Sequence, residues 1–595
     1  MIDKADAVMT WLGRHWRLGV LLVWAIAAIW MVNERWNSIH WLVLTDTDDN
    51  MRLVQVRAWL HGQGWYDLRQ YKLNPPAGFD IHWSRLVDLP IAGLYLLFQP
   101  FVGAVWAERW AAGLAPLLPM GVAMAAAALT VRRLIDPRAF FLGAVLLLFG
   151  QSALLMYMPM RIDHHGWQLA LLMVTVAGLC DPDRARGGAT VGIGTALSMV
   201  IGLELFLYLA VAGATVALRW VWDGEERQRM QAYALTLAGG TAAGYLVFAS
   251  EANRVARCDA LTPVWLSTML VAGALLFLLS RLRIQSRAGR LAVAVAAGGA
   301  LAGAFALVWP TCLGRPEQVS PELERLWLAN VREAKPLYSH PIRTILPVIA
   351  LPAAGIIGTV WAAWRARGTP AFGTWLPMVV LTLFSSLMLL WQTRAGPSAQ
   401  LLAIPGAAAI GWTFVPWTAT HRSIAVRVLG TGAALLVLVL ALTTPWIARN
   451  LPATVAPVSA YRKTVNRANA RCPQLRSLAP IGRMPEATIM TFVDLGPRLI
   501  AVTHHKAIAG PYHRNGDAIL DIHHAFDGTP ENARATALRH GATLLLVCPN
   551  MSESTIYRSR SPKGFYARLS RDETFDWLEP VPLPADSPYR LWRIR

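Results

Sequence analysis

Four groups of acidic residues in the sequence could do chemistry, and two of them adjoin imidazole or guanidinium groups. Their carboxylates are Asp46, Asp48 and Asp49 in the first group, Asp163 beside His164 and His165 in the second, Glu204 in the third, and Glu333 beside Arg332 and Lys335 in the fourth. Carboxylate oxygens with one or two imidazoles suit Mg²⁺ or Mn²⁺, and a pair of histidines would also accept Zn²⁺. These residue types therefore predict a site that binds a divalent cation.

Each group also has a structural explanation when it is taken alone. The first-group aspartates could cap a helix and carry solvated loop charges. The Asp163 motif could be an interfacial loop, Glu204 could pair with an arginine, and Glu333 could be a surface charge. A shared position at one membrane face favours the functional interpretation, and that position depends on the elements that carry the groups.

The composition indicates a polytopic membrane protein. Of the 595 residues, 15% are charged and 55% are hydrophobic, and mean hydropathy is +0.39. Soluble domains carry about 25% charged residues, so a soluble multidomain enzyme is excluded. The net charge of +19 would suggest nucleic-acid binding in a soluble chain. Here the basic residues lie in short loops between apolar runs, as the positive-inside rule requires, so we expect the lipid bilayer and no nucleic acid as partner.

The apolar runs predict about thirteen transmembrane helices, with the N-terminus in the cytoplasm and the C-terminus outside. The first run, Leu18 to Val32, lacks a small-residue cleavage site and is interpreted as a retained anchor. The transmembrane domain covers residues 1–447, with long outer loops at 33–105 and 310–341. Within the first loop, Leu89 to Val105 is expected to be interfacial or re-entrant. All four acidic groups then lie at the outer face.

Residues 448–595 lack the long apolar runs of the transmembrane domain. Their pattern predicts a small periplasmic α/β domain. Strands are expected at 487–493, 499–503, 542–548 and 589–594, with a helix capped by Thr529 and followed by Gly541. The same sidedness predicts disulfides Cys258–Cys312 and Cys472–Cys548 in an oxidising periplasm and a reduced Cys180.

In the order of its motifs and spans along the chain, the sequence resembles the GT-C glycosyltransferases. The likeness is greatest to the catalytic subunits of bacterial and archaeal single-subunit oligosaccharyltransferases. The likeness rests on a first outer loop that opens with acids, an Asp-His-His motif, and Val-x-Glu-x-x-Pro at residues 331–336, in a chain of about thirteen spans with an outer C-terminal domain. The tail lacks the Trp-Trp-Asp-Tyr-Gly motif with which that family grips the acceptor sequon. The acceptor is therefore left open between a glycan, a lipid and a protein.

The resemblance implies roles for ten residues. Asp163, His165 and Glu333 would hold the divalent cation, Mg²⁺ or Mn²⁺. One of Asp46, Asp48 or Asp49 would be the catalytic aspartate, with Glu333 as a further catalytic residue, and the choice among the three aspartates stays open. Substrate contacts would come from Arg52, His164, Glu204 and Arg394, of which Arg394 in Trp391-Gln-Thr-Arg394 would bind the donor's phosphate.

The resulting prediction is an enzyme of the bacterial inner membrane that transfers a sugar or oligosaccharide. The donor would be a polyprenyl phosphate- or pyrophosphate-linked sugar, and transfer would take place at the periplasmic face. The alternative is a polyprenyl-linked glycan flippase without transferase activity. A flippase would spread polar groups through the depth of the membrane and often shows repeated halves. No repeat is visible in the sequence, so the enzyme is favoured.

Overall fold

The computed structural model describes Trp11 and residues 13–450 and 459–595 of the chain. The predicted cytoplasmic Lys4 and the segment 451–458, which joins the membrane part to the tail, lie outside these ranges. The described part is predominantly helical, and its apolar helices confirm a polytopic helical membrane protein.

Nineteen helices of the described ranges precede the tail. They are α1 Trp16–Glu34, α2 Trp36–His40, α3 Thr47–Leu60, α4 Asp88–Leu114, α5 Leu117–Leu134, α6 Phe140–Leu147, α7 Gln151–Leu155, α8 His165–Leu179, α9 Arg184–Ile201, α10 Phe206–Trp222, α11 Arg227–Phe248, α12 Pro263–Arg281, α13 Arg287–Val308, α14 Pro321–Leu326, α15 Ile342–Arg365, α16 Phe372–Met388, α17 Gly396–Ala409, α18 Val415–Ala419 and α19 Thr431–Asn450. Two π-helical turns, Ile410–Phe414 and Val426–Gly430, flank α18.

Short 3₁₀ turns complete the connections. They are Pro137–Ala139, Gly224–Glu226, Glu251–Asn253, Pro310–Leu313, Leu328–Asn330, Arg332–Ala334, Leu337–Ser339 and Thr393–Ala395 before the tail, and Ile481–Arg483 and His513–Asn515 within it. A two-stranded antiparallel ribbon, β1 Arg69–Gln70 and β2 Phe79–Asp80, lies in the first long loop.

Seven helical stretches of the described chain are long and apolar enough to cross a membrane. They are Trp16–Glu34, Asp88–Leu134, Pro263–Arg281, Arg287–Val308, Ile342–Arg365, Thr393–Ala419 and Val426–Ala448. Four apolar helices are shorter, at Pro137–Leu147, His165–Leu179, Phe206–Trp222 and Phe372–Met388. The number of about thirteen spans and the orientation of the termini stay predictions.

The segment expected to be interfacial or re-entrant is the first part of a broken helix. Helix α4 contains a non-helical residue, Gly103, with φ 74° and ψ 165°. A φ of this sign is strained for most side chains and free for glycine, which has no Cβ. The chain therefore changes direction at Gly103 before it continues through α4 into α5.

The tail folds as a mixed sheet with helices packed around it. Its strands are β3 Thr488–Met490, β4 Lys506–Ala507, β5 Leu544–Val547, β6 Leu578–Val581 and β7 Arg590–Ile594, in the order β4-β3-β5-β7-β6. Its helices are α20 Ala460–Arg471, α21 Leu475–Leu478, α22 Gly496–Val502, α23 Gly516–Asp527, α24 Pro530–Arg539, α25 Ser552–Arg560 and α26 Phe565–Leu569. Strands β3, β4 and β5 are parallel, whereas β6 and β7 run antiparallel to their neighbours.

One predicted tail strand is wrong. Residues 499–503, expected to be extended, lie mostly in α22, which has Pro497 in its first turn. Leu499, Ile500 and Ala501 are all buried, so the run is apolar on every side and carries no helical or strand periodicity. The helix around Pro530 is confirmed, because Thr529 caps it and Gly541 follows with φ +63°.

The tail packs directly on the first long loop and the start of α3. Arg498 donates to the carbonyl oxygen of Leu42 and to Asn50 Oδ1, at 2.9 and 3.2 Å. The Tyr512 hydroxyl donates to the carbonyl oxygen of Thr47 at 2.9 Å. These bonds place the sheet domain over the start of α3. Both predicted disulfides are present and Cys180 is free and buried, as expected.

Candidate functional site

The first-loop aspartates occupy the start of α3, and two of the three have structural partners. Asp46 is the N-cap and its carboxylate accepts from the backbone N–H of Thr47, while Asp49 accepts from the N–H of Asp46 at 2.9 Å. This capping box matches the structural explanation of the pattern. Asp48 lies in the same turn, and its carboxylate forms no hydrogen bond or ion pair with any residue of the described chain. Asp48 is therefore free to meet a ligand.

Arg161 joins the first loop to the second. Its guanidinium lies 2.6 Å from Asp46 Oδ2, 2.8 Å from Asp163 Oδ2 and 3.6 Å from Asp49 Oδ2. The backbone N–H of Asp163 also donates to Asp49 at 3.0 Å. The side chains of Asp49 and Asp163 are fully buried and that of Arg161 is 9% exposed. The cluster formed by Asp46, Asp48, Asp49, Arg161 and Asp163, here called the acidic cluster, is thus held rigidly.

The charges of the acidic cluster set the protonation of its members in opposite directions. Burial opposes ionisation of Asp163, but Arg161 and then His165 outweigh it and hold the pKa of this carboxyl well below its usual range. Burial, followed by the negative charges of Asp46 and Asp163, raises the pKa of Asp48 to about 7. Asp163 is therefore a fixed anion, whereas Asp48 exchanges its proton near neutral pH.

The two histidines of the second motif point to different partners. His165 Nδ1 lies 3.0 Å from Asp163 Oδ2, and its ring stacks on that of His164 with centroids 4.4 Å apart. His164 Nε2 lies 2.9 Å from Glu204 Oε1, and Gln168 donates to Glu204 Oε2 at 2.6 Å. Glu204 is thus linked to the second motif by its contact with His164.

The turn that carries Glu204 depends on a glycine. A Cβ added at Gly202 would lie 2.3 Å from Glu204 Oε2 and 3.1 Å from Gln168 Nε2. A larger residue would therefore push the carboxylate away from His164. Gly202 separates α9 from α10, so this short connection determines where the carboxylate can reach.

Arg52 lies behind the acidic cluster, where it is fully buried. Its guanidinium bonds to Asp88 at 3.0 Å and lies over the ring of Trp83, 4.3 Å from the centroid. Its Nη2 is 3.5 Å from His164 Nδ1. This geometry positions the histidine ring, and direct contact between Arg52 and a substrate stays a prediction.

Glu333 and Arg394 form an ion pair with each other. In the described ranges neither forms a hydrogen bond or ion pair with another predicted site residue. Arg394 Nη2 lies 2.7 Å from Glu333 Oε1, with the two side chains 36% and 59% exposed. The Thr393 hydroxyl donates to the carbonyl oxygen of Lys335 at 2.8 Å, which links the same two segments. Within the described ranges, Glu333 forms no hydrogen bond or ion pair with Asp163 or His165. Its roles as a catalytic residue and a cation ligand therefore stay predictions.

Comparison with known proteins gives the fold. No protein-family model matches the sequence, and no curated protein matches it. Among solved structures, an oligosaccharyltransferase from Archaeoglobus fulgidus tethered to an acceptor peptide with the Asn-Val-Thr sequon aligns over 96% of this chain and 74% of its own, with a TM-score of 0.67 and 16% identity. The enzyme AglB from the same organism, solved with an inhibitory peptide and a dolichol-phosphate, aligns over 90% and 70%, with a TM-score of 0.66 and 15% identity. The chain has the GT-C fold.

A third GT-C structure, the A. fulgidus enzyme in complex with Zn and sulfate, aligns over 88% of this chain and 67% of its own, with a TM-score of 0.60 and 16% identity. These likenesses show the fold of the chain. The chemistry of this GT-C chain has to be argued from its own residues.

Two residues of the candidate site were not among the predicted site residues. Arg161 lies two residues before Asp163 of the Asp-His-His motif, so its position in the sequence was a usable signal. Asp494 follows β3 in the tail and is exposed, and its pKa is raised, with the charge of Asp46 among the causes. Loops after parallel strands often hold binding groups, and that rule could have identified Asp494 at the boundary between tail and membrane part.

Three carboxylates of the acidic cluster are held by Arg161 or by backbone N–H groups. Asp48 lacks such partners in the described ranges, and burial, followed by the negative charges of Asp46 and Asp163, raises its pKa. Asp163 and His165 offer oxygen and nitrogen donors of the type that Mn²⁺ accepts. The compact group of three ligand residues found in the described ranges does not include them, so a divalent cation at the acidic cluster stays a prediction.

Proposed function

We propose that this chain is a membrane glycosyltransferase that moves a sugar or oligosaccharide from a polyprenyl phosphate or pyrophosphate to an acceptor at the outer face of the membrane. The observation that carries the proposal is the unpartnered carboxylate of Asp48, held beside Arg161 and Asp163 where the tail meets the first loop. The GT-C fold supports it, because one structure of this fold was solved with a dolichol-phosphate and another with an acceptor peptide.

Asp48 is the residue that we assign to the acceptor. The acceptor's oxygen attacks the anomeric carbon and forms the new glycosidic bond, and its proton passes to the carboxylate of Asp48. A pKa near 7 suits a group that takes and returns a proton at neutral pH. Asp46 and Asp49 are less suited, since their oxygens already accept backbone N–H groups.

The leaving group departs on the phosphate side. The bond between the anomeric carbon and the phosphate oxygen breaks, and the phosphate retains the electron pair. Arg394 is assigned to the phosphate because guanidinium binds phosphate in a bidentate manner. A divalent cation held by Asp163 and His165, with Glu333 as a further ligand, would neutralise the charge that develops on the leaving oxygen.

The lipid donor explains why the site lies where apolar helices end. His165 begins α8 and Glu204 lies between α9 and α10, so the polar groups sit at the ends of membrane-compatible helices. The polyprenyl chain would stay among the helices while the sugar phosphate reaches the acidic cluster. Asp494 would approach the acceptor from the tail. We assign the protein to the bacterial inner membrane, with a cytoplasmic N-terminus and a periplasmic tail.

The test is complementation of a deletion strain, with mass spectrometry of surface glycans and of polyprenyl-linked sugars. We expect the deletion to lose one glycan and to accumulate its lipid-linked donor. The wild type and the exposed control Asp576→Asn should restore the product, whereas Asp48→Asn and Asp163→Asn should not. Membrane levels and melting temperatures of all four proteins would be compared, so that a failure to fold is recognised.

An assay with the purified wild-type protein distinguishes a transferase from a flippase. Incubation with the lipid extract of the deletion strain and with its envelope fraction should release free polyprenyl phosphate or pyrophosphate and form a glycosidic product. Full complementation by Asp48→Asn would contradict the proposed role of this carboxylate. Translocation of the lipid-linked sugar in vesicles without any glycosidic product would contradict the transferase itself.

A further inference from the structure

A second cluster of ligand atoms lies outside the acidic cluster. His82 follows β2 in the first loop, Asp259 precedes α12, and His513 lies in a 3₁₀ turn of the tail. One ligand atom from each of these residues lies within 4.8 Å of the other two, and the rings of His82 and His513 have centroids 4.6 Å apart. It is the one such group of three found in the described ranges.

Two of the three side chains are held firmly in place. Arg514 donates to both oxygens of Asp259, at 2.7 Å each, and also to Asn253. His513 Nε2 lies 2.6 Å from Asp259 Oδ2. The neighbouring Cys258 is tied to Cys312 by a disulfide, which restrains the loop from the other side. The carboxylate therefore has a fixed orientation before any ligand arrives.

His82 has no partner that explains its position. Its Nδ1 is buried without a hydrogen bond, and no hydrogen bond or ion pair joins its side chain to another described residue. A small cavity of about 10 Å³ lies beside it, lined by residues that include Trp83, Gly202 and Phe248. A buried imidazole nitrogen without a partner is costly, which points to a ligand at this place.

We propose that His82, Asp259 and His513 form a zinc-class metal site that ties the tail to two outer loops of the membrane part. Two imidazole nitrogens and one carboxylate oxygen are the donor set of many Zn²⁺ sites with an open fourth position. The ion would replace the proton shared by His513 and Asp259. Those two atoms would then separate to about 3.3 Å, as tetrahedral bonds of about 2.0–2.1 Å require.

The position of this site gives it a structural consequence. His82 adjoins Trp83, whose ring contacts both Arg52 and His164. A metal bound to His82 would therefore hold Trp83 in place against His164. Through His513 it would also hold the tail against the first loop. The site differs from the acidic cluster in its donors, since imidazoles favour Zn²⁺ over Mg²⁺.

The test measures metal binding by the full-length protein, purified in detergent with a tag that contains no histidines. After removal of metals with a chelator, the protein would be titrated with Zn²⁺ and with Co²⁺, whose absorption reports tetrahedral coordination. We expect about one equivalent of tightly bound metal, a tetrahedral Co²⁺ spectrum, and a higher melting temperature with Zn²⁺. The variant Asp163→Asn, which removes a proposed cation ligand from the acidic cluster, should give the same result.

His82→Gln is the decisive variant, because the His513–Asp259–Arg514 bonds that dock the tail remain in it. It should bind Zn²⁺ at least about tenfold more weakly, lose the Co²⁺ spectrum and show no thermal shift with Zn²⁺. His524→Gln, at an exposed histidine that bonds to Glu322, is the matched control and should behave like the wild type. No bound metal in the wild type, or equal binding by His82→Gln, would overturn the proposal.

Discussion

The acidic cluster and the Glu333–Arg394 pair are predicted from sequence as parts of one site, but they are built differently. In the cluster, Arg161 bonds to three carboxylates in a largely buried setting. In the pair, one ion pair of 2.7 Å joins two side chains that are 36% and 59% exposed. The first arrangement is rigid before any ligand binds, whereas the second is open to solvent.

The difference teaches which part of the site can change partners. An exposed ion pair contributes about 0–1 kcal/mol, so Arg394 can leave Glu333 for a phosphate at little cost. Breaking a buried pair leaves an uncompensated charge and costs about 3–5 kcal/mol. We therefore expect the acidic cluster to set the geometry of the site and the pair to adapt to the donor. Four predictions test this contrast, beginning with the largest effect.

Arg161→Ala should have the largest effect on stability. It leaves Asp46, Asp49 and Asp163 without their shared counter-charge, and the expected loss is about 3–5 kcal/mol with loss of transfer. The measurement is the melting temperature in detergent beside the complementation assay. Arg590→Ala, which breaks an exposed pair with Asp572, is the control and should cost less than about 1 kcal/mol. Equal effects of the two variants would refute a preorganised cluster.

Asp48→Asn should stabilise the protein at high pH while it abolishes transfer. In the folded protein the pKa of Asp48 is about 7, against an ordinary value of 3.8. Between these pH values Asp48 has lost its proton in the unfolded chain and keeps it in the folded protein. Its contribution to the free energy of unfolding therefore falls as pH rises from about 4 to about 7. At pH 8 the free energy of unfolding of the variant should exceed that of the wild type by on the order of 1–3 kcal/mol, and at pH 4 the two should be almost equal.

Melting temperatures of the variant and the wild type at both pH values check this prediction, with Asp576→Asn as the control. A stability difference that does not change with pH would contradict the raised pKa. Transfer by the wild type should rise with pH through about 7, because Asp48 accepts a proton only when it is ionised.

A divalent cation should stabilise the wild type by a smaller amount. Mn²⁺ at ten times its dissociation constant would add about 1.4 kcal/mol by mass action. The Mn²⁺-induced shift in melting temperature should disappear in Asp163→Asn and persist in His82→Gln, which separates the two proposed metal sites. A shift of equal size in Asp163→Asn would remove this residue from the ligand set.

Glu333→Gln should have the smallest effect on stability. Its pair with Arg394 is exposed, so the expected loss is below about 1 kcal/mol, as for Glu324→Gln at the comparable exposed pair with Arg315. Transfer, however, should fall in Glu333→Gln and not in Glu324→Gln. Normal transfer by Glu333→Gln would confine the functional site to the acidic cluster.

Local pattern, together with the sidedness inferred from loop charges and the resemblance, was sufficient for several features of the chain. The length and charge density of the apolar runs indicate a polytopic membrane protein, because a helix must satisfy its own backbone groups in lipid. The Thr529 cap, both disulfides and the association of Asp46, Asp49 and Asp163 follow the predictions. The strand expected at residues 499–503 failed, because a short run that is apolar on every side carries no period.

The sequence by itself determined the membrane class, the outer-face interpretation and the identity of the acidic groups, since these depend on residue type and on local spacing. Only the tertiary structure decided which of the three first-loop aspartates lacks a partner among the described residues, because their side chains are chemically identical. In the folded protein Arg161 pairs with Asp46, and the backbone N–H of Asp163 donates to Asp49. The tertiary structure also brought His82, Asp259 and His513 together from three distant segments. Contacts between such segments depend on packing and leave no local pattern in the sequence.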